Sequence, residues 1–106
     1  MNEAVILLVE DEEDIREMVA VYLQNEGYRV AEAECGLAAL ELVEREQPDL
    51  IVLDVLLPDM SGIEVCEEIR KRFDMPIVFM SCKDESGGHY FGGSRWGGDD
   101  YVTKPF

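Results

Sequence analysis

Two kinds of block alternate along this chain: short, wholly apolar runs and longer stretches with helical spacing. Residues 4–9 (AVILLV) are continuously apolar. A run this short and β-branched reads as a strand buried on both faces. Acidic residues 10–14 follow at once. Ile15, Met18, Val19, Tyr22 and Leu23 then fall at i, i+3, i+4, i+7 and i+8, which predicts an amphipathic helix. Gly27 ends it. Residues 29–33 read as a second, shorter strand. Leu37, Leu40 and Val43, with small Ala38 and Ala39, predict a second helix closed before Pro48. Residues 50–53 (LIVL) form a third buried strand, ending on Asp54. Val65, Ile69 and Phe73 recur every four residues and predict a third helix over 62–73. Pro76 introduces a fourth strand at 77–80, and 101–103 reads as a fifth.

Fully apolar strands alternating with helices imply an α/β fold with a parallel sheet covered on both faces. Its crossovers are expected to be right-handed, and ligands in such folds sit beyond the carboxyl ends of the strands. On this chain Asp11 follows strand one, Asp54 ends strand three, Ser81 follows strand four and Lys104 follows strand five. Four polar residues capable of joint chemistry are thus expected on one edge.

Residues 87–98 (GGHYFGGSRWGG) break the pattern with glycine pairs repeating every five residues. The alternation calls for a fourth helix here. Six glycines would cost it roughly 6 kcal/mol relative to alanine, comparable to a domain's whole stability of roughly 5–15 kcal/mol. A loop is expected instead, and the regular spacing resembles an introduced linker. His89, Tyr90, Phe91, Arg95 and Trp96 within it read either as packing filler or as a recognition patch.

Composition narrows the function classes. The 106 residues fit one domain. No apolar run approaches the roughly 20 residues of a bilayer span, and the apolar start turns acidic too soon for a signal peptide. A cytoplasmic protein is expected. Cys35, Cys66 and Cys82 are odd in number and widely spaced, which argues against a disulfide framework and a structural zinc site. The net charge of -15 disfavours direct contact with nucleic acid or anionic lipid and favours basic partners and divalent cations.

An aspartate closing an apolar strand is held rigidly at the sheet edge, where its carboxylate can attack phosphorus and form an acyl phosphate. Such transfer depends mainly on charge neutralisation. Mg2+ supplies it, with oxygen ligands and several retained waters. Asp11 and Asp54 would be carboxylate ligands, Glu10 a direct or water-mediated one, and the Leu56 backbone carbonyl would complete the set. Lys104 offers a compensating cation and Ser81 a hydroxyl donor to the phosphoryl oxygens. Tyr101 is placed to turn inward if Ser81 moves. Taken singly, each residue has a plainer reading. Glu10, Asp11 and Glu12 suit an acidic helix start. Asp54 suits a turn before Pro58, and Ser81 and Lys104 suit the surface. Their joint occurrence at strand ends favours function.

With these residues in view, the chain resembles the receiver domains of bacterial two-component response regulators. The motifs are VEDE at 9–12, LDVLLPDMSG at 53–62, Ser81-Cys82 and DDYVTKPF at 99–106. The resemblance covers nearly everything except 87–98. It implies a flavodoxin-like doubly wound five-stranded parallel sheet in the order 2-1-3-4-5. It also implies phosphorylation of Asp54 by a sensor histidine kinase, and Mg2+ at Glu10, Asp11, Asp54 and the Leu56 carbonyl. Phosphoryl contacts would come from Ser81 and Lys104, and switching from Ser81 and Tyr101. A cis Lys104–Pro105 bond is usual in the family. The VED and YVTKPF variants resemble regulators whose receiver precedes a winged-helix DNA-binding domain, so a role in transcription regulation is implied.

Two departures qualify this. The fourth helix is expected to be disrupted by the glycine repeat, and the fifth, which follows KPF in the family, is expected to be missing. Residues 1–106 would then be a receiver domain incomplete at its C-terminus, with apolar surface exposed on strands one and five. The alternative to a working switch is a truncated or engineered scaffold with a binding loop at 87–98 and no signal output, or a homodimer or swapped dimer covering the bare face. An aspartyl phosphohydrolase of the haloacid dehalogenase type is disfavoured. Its second aspartate, two residues past the nucleophile, is replaced here by Leu56, so no enzyme is expected.

Overall fold

The computed structural model describes residues 3–80 in full and residues 81–82 and 100–104 as backbone. In chain order the elements are β1 (Val5–Val9), α1 (Glu13–Asn25), β2 (Arg29–Ala33), α2 (Gly36–Glu46), β3 (Leu50–Asp54), α3 (Gly62–Arg70), β4 (Ile77–Cys82) and β5 (Asp100–Lys104). The expected glycine-rich loop at 87–98 lies outside the described residues, as does the peptide bond leading into Pro105.

All five strands run parallel in the order β2-β1-β3-β4-β5. The period of two along each strand divides the core between two faces. Leu7, Val9, Ile51, Leu53, Ile77 and Phe79 pack with Ala39 and Val43 of α2 and Val65 and Ile69 of α3. On the other face Leu8 and Met80 pack with Val19 and Ala20 of α1. That two-sided burial explains why β1 and β3 read as unbroken apolar runs.

Helix ends follow local chemistry. α1 stops where Gly27 adopts φ 99. Its N–H donates to Gln24 O at 3.0 Å while Tyr28 N–H donates to Leu23 O at 3.1 Å, so orphan carbonyls at the helix end are satisfied. α2 closes on Gln47, which takes a left-handed φ of 45 before Pro48. α3 is shorter than the spacing of Val65, Ile69 and Phe73 predicts, ending at Arg70. Its last turn tightens there: Lys71 and Arg72 donate to carbonyls three residues back, while the Phe73 N–H donates four residues back, to Ile69 O at 2.8 Å.

The fourth and fifth strands run further than expected. Ser81 lies inside the end of β4 and Lys104 is the last residue of β5, each within the strand instead of after it. Pairing with β5 out to Cys82–Lys104 extends both.

The exposed apolar surface also differs in place from the expectation. β1 is covered, with Ile6 to Val9 all buried under the helices. A groove of about 290 Å3 runs instead between α1 and strands β3 and β4, lined among others by Met18, Tyr22, Leu50, Val52 and Val78. Met18 is 48 % and Tyr22 64 % exposed. α1 lies over β1 and β2, so the neighbouring β3 and β4 carry the open stripe. The side chains of β5 lie outside the described residues.

Candidate functional site

β1 and β3 are adjacent and in register to Val9–Leu53. Glu10 and Asp54 are the next residues on each, and by the strand period they share the face of Leu8 and Val52. Asp11 follows on the loop into α1. One oxygen from each of Glu10, Asp11 and Asp54 can be chosen so that all three lie within 4.8 Å of one another. Glu10 is fully buried, Asp54 is 3 % exposed, and Asp11 is open to solvent. Carboxylates are rarely buried unless paired or bound to a cation. Such a set at a sheet edge matches the oxygen ligands Mg2+ takes, with Asp11 facing solvent.

Backbone donors orient the buried pair. Glu10 Oε2 accepts the Glu12 N–H at 3.0 Å. Asp54 Oδ1 accepts the Leu56 N–H at 3.2 Å. That bond to the residue two places on is the turn habit of aspartate, so the plain reading of Asp54 and the chemical one coexist. The plain reading of the acidic run divides similarly. Glu13 and Asp14 occupy the first turn of α1, Glu12 is the N-cap without a side-chain bond, and Glu10 and Asp11 precede the helix in the cluster with Asp54.

The loop after β3 is tightly built. Leu56 and Ser61 form an antiparallel bridge, and the Gly62 N–H donates to Val55 O at 2.7 Å. Ser61 and Glu64 make a reciprocal capping box at the start of α3. Gly62 lies against the backbone of Asp54 and Val55, where a Cβ would collide with the Asp54 carbonyl oxygen. Only glycine allows that approach.

Sequence reasoning missed Arg16 and Asp59. Arg16 Nη1 donates to Glu10 O at 2.9 Å and Nε to Glu32 Oε1 at 3.2 Å, tying the acidic turn to β2. Its signal was a lone cation among the three acids Glu13, Asp14 and Glu17 on α1, which spacing does not relate to Glu10. Asp59 sits inside the LDVLLPDMSG motif, but its partners lie 23 and 22 residues away.

The site residues therefore divide. Glu10, Asp11 and Asp54 come together, and the Leu56 backbone adjoins Asp54. For Ser81, Tyr101 and Lys104 the strand pairing is described and the side chains are not. Asp54 faces Met80, Ser81 faces Thr103, Cys82 faces Lys104 and Phe79 faces Tyr101. The backbones of Ser81 and Lys104 thus reach the same edge as the carboxylates.

The family model of the response regulator receiver domain matches residues 6–106, and this chain belongs to that family. Solved receiver structures agree with it. TrrA of Thermotoga maritima, in complex with Mg2+-BeF, is 40 % identical, with 97 % of this chain and 88 % of that chain covered and a TM-score of 0.84. The BeF3-activated N-terminal receiver domain of Klebsiella pneumoniae RstA is 30 % identical over 96 % of this chain and 86 % of that one, with a TM-score of 0.84. Vibrio cholerae chemotaxis protein CheY4 is 30 % identical over 99 % of this chain and 89 % of that one, with a TM-score of 0.85. The chain is a signalling module of a two-component system. No helix among the described residues is long and apolar enough to cross a membrane.

Proposed function

We propose that this receiver domain accepts a phosphoryl group on Asp54 from the phosphohistidine of a sensor kinase or from a small phosphodonor. The observation that carries this reading is the convergence of Glu10, Asp11 and Asp54 at the sheet edge, with Glu10 and Asp54 buried. A carboxylate oxygen of Asp54 forms the new bond to phosphorus as the bond to the donor breaks, and the donor leaves with that electron pair. Mg2+, when bound, neutralises the charge of the transferring group. Asp11, Asp54, Glu10 and the Leu56 carbonyl would hold it. The Mg2+-BeF complex of the 40 % identical TrrA supports that assignment.

Ser81 and Lys104 would contact the phosphoryl oxygens, and Ser81 with Tyr101 would report their arrival. The VED and YVTKPF variants at 9–11 and 101–106 favour a place in a transcriptional regulator, and the composition favours the cytoplasm. Its partners would be the kinase and, through the apolar face, another protein surface. A second reading, a scaffold with a binding segment at 87–98 and no output, is favoured by the glycine repeat alone.

The test is intact-protein mass spectrometry after incubation with acetyl phosphate and Mg2+. One phosphoryl group should be gained, and none by Asp54→Asn or in EDTA. No gain by the folded wild type, or an equal gain by Asp54→Asn, refutes the assignment.

A further inference from the structure

The first N–H groups of a helix have no partner within it and need an outside acceptor. α2 has none of its own: its N-cap Cys35 makes no side-chain bond, and no acidic residue occupies its first turn. The acceptor comes from the loop after β3. Asp59 Oδ1 accepts the Gly36 N–H at 2.7 Å and Oδ2 accepts the Leu37 N–H at 3.0 Å. These bonds hold the Asp59 carboxyl below the usual aspartate range. Met60 lies beside the same turn: a Cβ on Gly36 would run into its side chain, coming within 2.6 Å of Sδ.

The rest of that loop is fixed to α3 and β3, through the Leu56–Ser61 bridge and the Gly62 N–H to Val55 O. Between these anchors the chain spans Leu56 to Ser61, and its outer part is held at Asp59. Leu56 is the residue whose carbonyl is assigned to the cation.

We propose that Asp59 is a positioning residue for phosphoryl transfer, clamping the β3–α3 loop to the start of α2 and so fixing the Leu56 main chain relative to Asp54 for Mg2+. This role rests on the Mg2+ reading of the carboxylate cluster. It requires two acceptor oxygens at one position. Asp59→Ala abolishes the clamp, and Asp59→Asn retains one oxygen.

The experiment is calorimetric titration of the cation-free chain with MgCl2, at a temperature where circular dichroism shows every variant folded. Asp59→Ala should weaken Mg2+ binding on the order of 10-fold, the scale at which supporting residues act on metal sites, and Asp59→Asn should fall between it and the wild type. Val43→Ala, a cavity about two turns along α2 from the Gly36 and Leu37 N–H groups that Asp59 holds, controls for lost stability and should bind Mg2+ as the wild type does. Undiminished affinity in both Asp59 variants overturns the assignment while leaving the site intact. So does an equal loss in Val43→Ala, which would make the effect one of general stability. A wild type that binds no Mg2+ overturns the cation site itself, and the role of Asp59 with it.

Discussion

Neutralising Asp54 should stabilise the cation-free protein, because the site concentrates like charge. Asp54→Asn preserves the side-chain shape and the oxygen that accepts the Leu56 N–H at 3.2 Å. It removes one negative charge from a group of three whose oxygens lie within 4.8 Å of one another. At that separation a like-charge pair costs about 3.5 kcal/mol at an effective dielectric of about 20, and about 0.9 kcal/mol in bulk water. The Glu10–Asp54 pair is buried and belongs nearer the first figure; Asp11 is exposed, so its pair with Asp54 belongs nearer the second. Neighbouring donors that favour the charged carboxylate offset part of the gain. The net gain is about 1–3 kcal/mol, and a domain of this size gains about 4–8 °C in Tm per kcal/mol. Thermal melts in EDTA and in excess Mg2+ measure it. The variant should melt several degrees above the wild type in EDTA, whereas Mg2+ should raise the wild type and leave the variant nearly unmoved. An equal or lower Tm in EDTA would refute the repulsion. An equal Mg2+ response in both proteins would move the cation away from Asp54.

Two further outcomes follow from the loop and from the surface between α2 and α3. Gly62→Ala would drive a Cβ into the Asp54 carbonyl oxygen and to 2.9 Å from Val55 Cα, both backbone atoms. Overpacking of about 1–3 kcal/mol outweighs a helix-propensity gain of at most about 1 kcal/mol. The urea midpoint should drop, and an unchanged midpoint would show that the β3–α3 loop yields freely. Arg72 binds both Glu44 oxygens, at 2.8 and 2.9 Å, and holds the Glu44 carboxyl below its ordinary value. A depressed carboxylate stabilises the fold above its unfolded pKa, and that contribution vanishes as pH falls through the folded value. Carboxyl NMR titration should find Glu44 low in the wild type and normal in Arg72→Ala, and a normal wild-type value would mean the pair is open in solution.

The exposed groove between α1 and β3–β4 bears on any output from this site. It lies on the face opposite α2 and α3, where Val52 and Met80 pack beside Leu8. The strand that carries Asp54 therefore also carries part of the open apolar surface, through Leu50 and Val52.

Strand-helix alternation, the parallel sheet and the edge on which Asp11 and Asp54 fall were legible in the sequence. Those features depend on local periodicity and on the rule that parallel strands present their carboxyl ends together. Gly27 as the end of α1 was legible for the same reason, since a positive φ is a local requirement. The lengths of β4 and β5 were not, because they are set by pairing to each other, out to Cys82–Lys104. The exposed stripe was misplaced onto β1 because a strand's apolar sequence does not say which helix lies over it. Arg16 and Asp59 stayed hidden for a related reason. Their partners Glu10, Glu32, Gly36 and Leu37 are brought to them by the packing of separate elements, and no spacing along the chain relates them. By itself, then, the sequence determined the fold class and pointed to Asp54 and its acidic company, since each follows from periodicity and short motifs. Only the tertiary structure decided that Glu10 and Asp54 are buried side by side, and that the loop past Asp54 is clamped to α2. Burial and clamping are properties of distances between distant residues, and those distances exist only once the sheet has formed.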